Sequence, residues 1–251
     1  MIIGTQMMAG KRRRPFDPYW HWCELQINAD GADGSTAIVD TSKNAKALTL
    51  FGDVQLDTSQ FAVGTASIQF DGTGDYIRVG NGGAFDFGAG DFYVKLHIKN
   101  DGGSSPSVAF IGAWGSSQSS WVLYKNGSSP YLALYMSSNG TSWNVVDGSA
   151  AGVISAFGNF YSHVAFVAIE LYRIGSTVYI RQNGSSPTTW SISSASLFAG
   201  GTYLYIGADT SGGARLTGRI DDIRVLKGIS HRYAGESYTF APRTWLTKEG
   251  G

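Results

Sequence analysis

Short apolar or alternating runs, separated by turn-forming residues, recur about every ten positions from residue 60 onward. A two-residue alternation is the pattern of a half-buried β-strand, and a short continuous apolar run suits a fully buried one. No segment keeps the 3.6-residue apolar period of a helix long enough to compete. The pattern therefore predicts strands at 66–70, 75–79, 91–99, 107–113, 119–125, 131–137, 142–146, 161–172, 176–182, 188–192, 202–208 and 219–226.

The connections between these runs carry turn chemistry. Asn-Gly occurs at 126–127, 139–140 and 183–184, each time between two predicted strands. The two central positions of a type I′ turn need a positive φ, which Asn and Gly tolerate best. We therefore expect tight turns at these places and an all-β fold with almost no helix.

Composition limits the class of protein. The chain has 251 residues, of which 43% are hydrophobic and 13% aromatic, enough apolar material for one good core. Its 19 Lys and Arg residues balance 19 Asp and Glu residues, which argues against a broad basic field for nucleic acid. No apolar run approaches the roughly 20 residues of a membrane-spanning helix. We therefore expect neither nucleic acid nor membrane as a partner.

The single cysteine, Cys23, excludes an internal disulfide framework and a cysteine-rich zinc site. A lone thiol beside a tryptophan is typical of a small buried hydrophobe. The chain starts with a short apolar stretch followed by basic residues, the reverse of the order in a secretory leader. We therefore expect it to fold in a reducing cytoplasm.

Residues 9–20 differ in kind from the rest of the chain. They hold a basic run and then aromatic residues among prolines, and the candidate docking residues are Lys11, Arg12, Arg13, Arg14, Phe16 and Tyr19. One interpretation is a solvated arm, and the other is a peg that docks on an acidic surface of a partner. The aromatic side chains are too apolar to stay uncovered, so part of this arm must pack against something.

Four segments in the body of the chain carry a recognisable pattern: FDGTGDYI (70–77), FDFGAGDF (85–92), SHVAFV (162–167) and GRIDDIRV (218–225). In this order they resemble the laminin-G-like, concanavalin-A-type jelly-roll domains. DPYWHWCELQINADG (17–31) resembles the opening strand of such domains on tailed-bacteriophage particles. The resemblance implies an antiparallel β-sandwich of about 12–14 strands over 19–242, with an N-terminal arm at 1–18 and a C-terminal tail at 243–251.

The acidic residues do not predict catalysis. A retaining glycosidase needs two carboxylates about 5 Å apart, and none of the four glutamates has a second acid suitably spaced on one strand face. Strict alternation would point Asp221 and Asp222 to opposite faces of their strand. The sequence also lacks a Gly-x-Ser-x-Gly elbow and a phosphate-binding glycine loop followed by a helix. We expect no enzymatic activity, and a polysaccharide-degrading enzyme is the less favoured alternative.

The resemblance also implies one calcium ion. Members of the wider jelly-roll group, the bacterial β-glucanases among them, often bind it between the opening strand, an early turn glycine and an Asp of the last strand. Carried over by position, the ligands are Asp30, Gly72 and Asp221. The alternative is that Asp30, Asp71 and Asp75 cap turns and that Asp221 pairs with Arg219 or Arg224.

Aromatic residues are concentrated in the middle third of the chain, beside Ser- and Asn-rich turns. A sugar needs an exposed aromatic face for its C–H surface and polar groups for its hydroxyls. Trp114 and Trp143 stand at strand ends and are the best candidates, followed by Trp121 and Tyr124. Alternation puts Trp121 and Tyr124 on opposite faces of one strand, so not all of these rings can point outward.

The phage resemblance gives the leading functional hypothesis. The chain would be a non-enzymatic virion protein, on capsid or tail, present as an oligomer or in many copies after synthesis in the host cytoplasm. Its sandwich would bind host or environmental glycans, and its arm would anchor it on other virion proteins. The alternative is a purely structural virion subunit without a ligand.

Overall fold

A computed structural model describes residues 17–102, 106–115, 118–127, 129–158, 160, 164–210 and 212–230. Within them the chain forms fifteen strands and two short 3-10 turns, at Trp20–Trp22 and Ser155–Phe157. The prediction of an all-β fold is confirmed. Among these residues no helix has the length and apolar character needed to cross a membrane.

The strands form two sheets. In chain order they are β1 (Cys23–Ile27), β2 (Leu48–Phe51), β3 (Gln55–Asp57), β4 (Ser67–Asp71), β5 (Tyr76–Gly80), β6 (Phe92–Asn100), β7 (Val108–Ala113), β8 (Ser119–Lys125), β9 (Leu132–Gly140), β10 (Val153–Ile154), β11 (Val167–Ile174), β12 (Thr177–Gln182), β13 (Thr188–Ser191), β14 (Tyr203–Ile206) and β15 (Thr217–Lys227).

One sheet has eight strands in the order β13-β12-β11-β6-β15-β4-β3, with β1 paired to β15. The other has seven strands in the order β10-β9-β8-β7-β14-β5-β2. Every pairing between these strands is antiparallel. Two antiparallel sheets with strands out of chain order are the arrangement of a jelly-roll sandwich, as the resemblance implied.

Eleven of the twelve predicted strands are present, and the differences between the predicted and observed strands have physical reasons. Segment 142–146 is a turn region, in which Val146 alone bridges to Met136. Four strands lie outside the predicted pattern. β1 falls in the segment that the resemblance gave as the opening strand, and β2, β3 and β10 are two to four residues long and lie at sheet edges. Short edge strands bury too little surface to need a clear alternation. The strand predicted over 161–172 begins at Val167, and residues 161–163 lie outside the described part.

Of the three Asn-Gly pairs, one forms the predicted turn. Asn183 and Gly184 have φ values of 49° and 73°, and the Ser185 N–H donates to the Gln182 carbonyl. At Asn139-Gly140 only the glycine has a positive φ, and neither residue of Asn126-Gly127 has one. The last two pairs begin longer connections, so the two-residue hairpin geometry does not apply to them.

The core lies between the two sheets and is built from alternate residues of each strand. In β6, Phe92, Val94 and Leu96 point inward, and in β8 Trp121 does so at 0% exposure, with its ring 5.4 Å from that of Phe87. Burying each such large side chain contributes roughly 1.5–3 kcal/mol. The residues between them point to the outer faces of the sandwich, where the candidate sites lie.

Candidate functional site

The outer face of the seven-stranded sheet is unusually rich in aromatic residues. Because Trp121 of β8 points inward, Val122 and Tyr124 point outward, beside Tyr135 of the neighbouring strand β9. The outer positions of a half-solvated antiparallel sheet are normally polar. An apolar outer patch of this kind is typical of a binding surface.

Four rings on this face enclose a cleft of about 220 Å³, which we call the aromatic cleft. Its lining residues are Trp114, Val122, Tyr124, Asn126, Tyr135 and Trp143. The ring centroids lie 5.9 Å apart for Trp114 and Tyr124, 5.8 Å for Tyr124 and Tyr135, 5.4 Å for Tyr135 and Trp143, and 6.2 Å for Trp143 and Trp114. Each ring thus contacts two others, which fixes the shape of the cleft.

The loop that carries Trp143 is held by side-chain amides. The Asn139 Oδ1 accepts the backbone N–H groups of Thr141 and Ser142, each at 3.0 Å. The Asn144 Oδ1 accepts the Ser138 N–H at 3.0 Å, and its Nδ2 donates to the Ser138 Oγ at 2.8 Å. Asn favours such local hydrogen bonds in turns. The loop is therefore set in place before any ligand arrives.

Two glycines leave room for side chains that line the cleft. A Cβ built on Gly148 would stand 2.3 Å from the Tyr135 ring, so any other residue there would displace that ring. Across the sheet, a Cβ on Gly112 would stand 2.7 Å from the Val122 Cβ. These glycines let Tyr135 and Val122 lie close to the neighbouring backbone.

The cleft also offers polar groups. The Asn126 Nδ2 donates to the Tyr135 hydroxyl at 3.2 Å. The indole Nε1–H of Trp114 has no acceptor among the described residues. Burial raises the pKa of Tyr124 and of Tyr135, so both phenols remain neutral hydrogen-bond donors at neutral pH. The combination of flat apolar rings and hydroxyl-sized donors suits a sugar ring.

The sequence predicted this site in part. Trp114, Tyr124 and Trp143 lie together in the cleft. Trp121 does not, because it is fully buried between the sheets and has no face to offer a sugar, so its candidacy is corrected. Tyr135 was not among the candidates. It lies directly opposite Val122 in the register of β8 and β9, and the sequence alone gives no register.

The three predicted calcium ligands do not meet. The Asp221 Oδ2 accepts the N–H groups of Ala62 and Val63, both at 2.9 Å, and the Asp30 Oδ1 accepts the Thr65 N–H at 2.9 Å. Asp30 thus fixes the loop between β3 and β4, as the turn-capping alternative proposed for it, and Asp221 contacts the same loop from the last strand. Gly72 lies instead against Thr217, four residues before Asp221 on β15 and therefore about 13 Å away. These residues do not fit one ion, and calcium binding stays a prediction.

A different acidic group lies at the turns beside β2 and β5. Carboxylate oxygens of Asp53, Asp71 and Asp75 lie within 4.8 Å of one another. Asp75 is buried, and its two oxygens accept the backbone N–H groups of Asp53 at 2.9 Å and Asp71 at 2.8 Å. Burial raises the pKa of Asp75 to about 6. These contacts identify Asp75 as the residue that joins the two turns.

Strict alternation fails at Asp221 and Asp222, which corrects the expectation that they face opposite sides. The register of β15 against β6 shifts between Asp221 and Arg224, and Asp222 has a φ of 49°. This is the geometry of a β-bulge. The Asp222 carboxylate accepts a hydrogen bond from the Lys95 Nζ at 2.7 Å. Both aspartates are therefore engaged in structural contacts.

Of the candidate docking residues, the structure describes Tyr19, which packs on the protein itself. Tyr19 lies against a cluster on the outer face of the eight-stranded sheet, made of Cys23, Tyr93, Tyr172 and Leu226. Cys23 is fully buried, as predicted. The other docking candidates, Lys11, Arg12, Arg13, Arg14 and Phe16, lie outside the described residues, as does the tail at 243–251. The boundaries at 18/19 and 242/243 stay predictions.

Two antiparallel sheets and an aromatic cleft on one outer face define a lectin-like β-sandwich. The sequence profile described as the concanavalin A-like lectin/glucanases superfamily matches residues 71–229. The chain belongs to this superfamily, as the four sequence segments suggested. No curated protein matches it.

Solved structures share the fold at low sequence identity. The binding domain of Paraclostridial Mosquitocidal Protein 1 has a TM-score of 0.61 and 13% identity, over 84% of this chain and 50% of that one. The receptor binding domain of botulinum neurotoxin C/D mosaic serotype has a TM-score of 0.57 and 16% identity, over 84% of this chain and 49% of that one. The chain thus spans about half the length of these domains, and the likeness shows the fold alone.

Proposed function

We propose that the protein is a non-enzymatic, glycan-binding subunit of a tailed-phage particle, on capsid or tail. The observation that carries the glycan-binding part is the aromatic cleft on the outer face of the seven-stranded sheet. The virion part is supported by the likeness of residues 17–31 to the opening strand of phage particle proteins. In this proposal the subunit is made in the host cytoplasm and displayed in many copies or as an oligomer.

The dimensions of the cleft suit one sugar unit. Pockets for drug-sized ligands are roughly 300–1,000 Å³, and the cleft has about 220 Å³. A single pyranose ring would place its C–H face on Trp114 or Trp143 and its hydroxyls near Asn126 and the two phenols. Because the rings are already in contact with one another, little conformational entropy is lost on binding.

Two further observations support binding rather than catalysis. The lining of the cleft, as far as the structure describes it, contains no carboxylate, and a glycosidase of the usual kind needs two. The structural neighbours are described as a binding domain and a receptor binding domain.

A glycan panel tests the proposal. The purified protein should be retained by at least one immobilised host or environmental polysaccharide. Trp143→Ala and Trp114→Ala should each weaken retention about tenfold or more, since roughly 1.4 kcal/mol is one factor of ten and buried aromatic contacts are commonly worth that much. Trp22→Ala is the matched control. Trp22 is an exposed tryptophan, at 38%, that directly precedes β1 of the eight-stranded sheet and does not line the cleft.

The outcomes separate the candidate functions. Equal losses in Trp22→Ala and Trp143→Ala would contradict a specific role of the cleft. If no glycan retains the wild-type protein, the purely structural virion subunit is the better explanation. Release of reducing sugars from a retained polysaccharide would instead favour the degrading enzyme.

A truncation tests the anchoring arm. Asp17 is buried and forms an ion pair with Arg224, so the cut that spares the sandwich removes residues 1–16. We expect the truncated protein to keep its melting temperature and its glycan binding but to be lost from assembled particles. Replacing Lys11, Arg12, Arg13 and Arg14 with alanine separates the contribution of charge from that of Phe16. Normal incorporation of the truncated protein would contradict docking through the arm.

Calcium binding can be tested on the same material. A chelator should lower the melting temperature if the ion stabilises the folded state. An unchanged melting temperature, with and without added calcium, would remove the prediction.

A further inference from the structure

A second group of aromatic residues lies on the same outer face, on strands β2, β5 and β14. We call it the arginine cage, and it consists of Phe51, Tyr76, Arg78, Tyr203 and Tyr205. The guanidinium carbon of Arg78 lies 4.3 Å from the centroid of the Tyr203 ring and 5.0 Å from that of Phe51. Tyr76 stacks on Phe51 at 4.2 Å, and Tyr205 meets Tyr203 edge to face at 6.1 Å. Rings from both neighbouring strands thus hold the guanidinium of β5 in place.

The charge of Arg78 is not neutralised by a carboxylate among the described residues. Elsewhere in the sandwich, Arg219 pairs with Asp57 and Asp101, and Arg224 pairs with Asp17. Arg78 forms no such ion pair, and its Nε has no hydrogen-bond acceptor in the part of the chain that the structure describes. It contacts rings and the Tyr205 phenol instead, and its positive charge partly offsets the burial that raises the pKa of Tyr205. No opposite charge within the described residues therefore matches this guanidinium.

The register relates the cage to the aromatic cleft. Arg78 lies opposite Tyr205, Tyr205 opposite Gly112, and Gly112 opposite Val122 on the floor of the cleft. Three strand spacings separate Arg78 from Val122, which is about 14 Å. Both groups therefore belong to one face, but they are too far apart to contact the same sugar unit.

We propose that the arginine cage binds the carboxylate of an acidic sugar, and hence that the glycan recognised by this face is acidic. This inference rests on the proposed glycan binding and names its substrate class. A planar guanidinium binds a carboxylate with two parallel hydrogen bonds, which gives both affinity and orientation. The flanking rings offer apolar surface to the sugar that bears the carboxylate. The aromatic cleft then holds a different unit of the same glycan or of a neighbouring one.

The test uses pairs of glycans that differ only in charge. Immobilised oligosaccharides that contain uronate or sialate are compared with the same oligosaccharides after reduction of their carboxyl groups. The wild-type protein should prefer the acidic member by about tenfold or more at low salt. The preference should shrink as the ionic strength rises, because salt screens the exposed part of the interaction.

Variants of Arg78 test whether this residue causes the preference for acidic glycans. Arg78→Met keeps an unbranched side chain between the rings and should abolish the preference while neutral glycans are still retained. Arg78→Lys keeps the charge and should retain only part of the preference, because an ammonium cannot form the paired hydrogen bonds. Arg181→Met is the matched control, since Arg181 lies 5.9 Å over the Tyr172 ring on the opposite side of the sandwich.

The results distinguish this inference from the proposed function. If glycans are retained equally in acidic and reduced form, or if Arg78→Met keeps the preference, the acidic class is wrong and glycan binding by the cleft stands. If no glycan of either form is retained by the wild-type protein, both proposals fail. Equal loss in Arg181→Met and Arg78→Met would show a general effect of net charge and would also overturn the assignment to the cage.

Discussion

The outer faces of the two sheets differ in how their side chains are partnered. On the eight-stranded sheet, Lys95 pairs with Asp222 and Arg219 with Asp57, and a small apolar cluster around Cys23 is buried under Tyr19. On the seven-stranded sheet, aromatic rings form an open cleft and an arginine lies between rings. On the first face these opposite charges pair within the chain, whereas on the second the rings surround an open cleft and Arg78 forms no ion pair among the described residues. The comparison separates contacts that stabilise the fold from the surface to which the proposals assign binding.

Among the residues of the two outer faces, the largest expected effect is on the ion-paired face. Asp222→Asn preserves the left-handed backbone conformation but leaves Lys95 without its nearest negative charge in a buried site. We expect a loss of about 3 kcal/mol in the free energy of unfolding, as for other buried pairs that lose one partner. Denaturant unfolding at an unchanged m-value measures it.

Glu24→Gln is the control for that measurement. Glu24 pairs with Lys43 near the surface, where their side chains are 17% and 33% exposed. Such pairs contribute about 1 kcal/mol or less. Similar losses in both variants would show that the ion pairs of the eight-stranded sheet are ordinary surface contacts.

The next effect is a change in the free energy of unfolding with pH. Burial raises the pKa of Asp75, beside the seven-stranded sheet, to about 6 from 3.8. Between these values the folded state binds more protons than the unfolded state, so the free energy of unfolding should increase as the pH falls from about 6 to 4. Thermal unfolding across this range should show the increase in the wild type and not in Asp75→Asn.

Asp57, in the eight-stranded sheet, behaves in the opposite sense. Burial opposes its ionisation, but hydrogen bonds from Ser59 and Arg219 lower its pKa below 3.8. The stability that ionised Asp57 contributes is present above pH 3.8 and is lost as the pH falls through the lowered pKa. Stability should therefore pass through a maximum at mildly acidic pH. A steady decline from pH 7 to pH 4 would contradict the assignment for Asp75.

A smaller effect is expected on the aromatic face. Trp143 is half-buried and stands on a loop held by Asn139 and Asn144. We expect Trp143→Ala to change the free energy of unfolding by about 1 kcal/mol, the scale of its ring contacts. Trp121→Ala, in the core, should cost about 3–5 kcal/mol. Comparable losses would mean that the cleft is an extension of the core.

In the smallest expected effect, the Cys23 thiol of the folded protein does not react with an alkylating reagent. Burial raises the pKa of the Cys23 thiol to about 12, so almost no thiolate forms at pH 8. We expect iodoacetamide to leave Cys23 unmodified in the folded protein and to label it after denaturation. Mass spectrometry of the intact chain measures the label. Rapid labelling of the folded protein would show that the apolar cluster of the eight-stranded sheet opens readily.

Much of the fold was predictable because strand alternation and turn residues are local properties. The choice of the inner face was not, since β8 presents apolar residues on both sides and only the second sheet decides that Trp121 is covered and Tyr124 is not. Tyr135 joined the site through strand register, which is set by long-range pairing. The predicted calcium ligands depended on tertiary contacts: Asp30 and Asp221 accept backbone N–H groups of the β3–β4 loop, whereas Gly72 lies against Thr217.

Gly148 has a consequence for how the specificity of this protein can change. The glycine touches the back of the Tyr135 ring and is not among the residues that line the cleft. A methyl group at this position would displace the ring and change the shape of the cleft, while every lining residue stayed the same. Under the proposed function, selectivity can therefore change through a residue that does not line the cleft, and a search for specificity variants should include position 148.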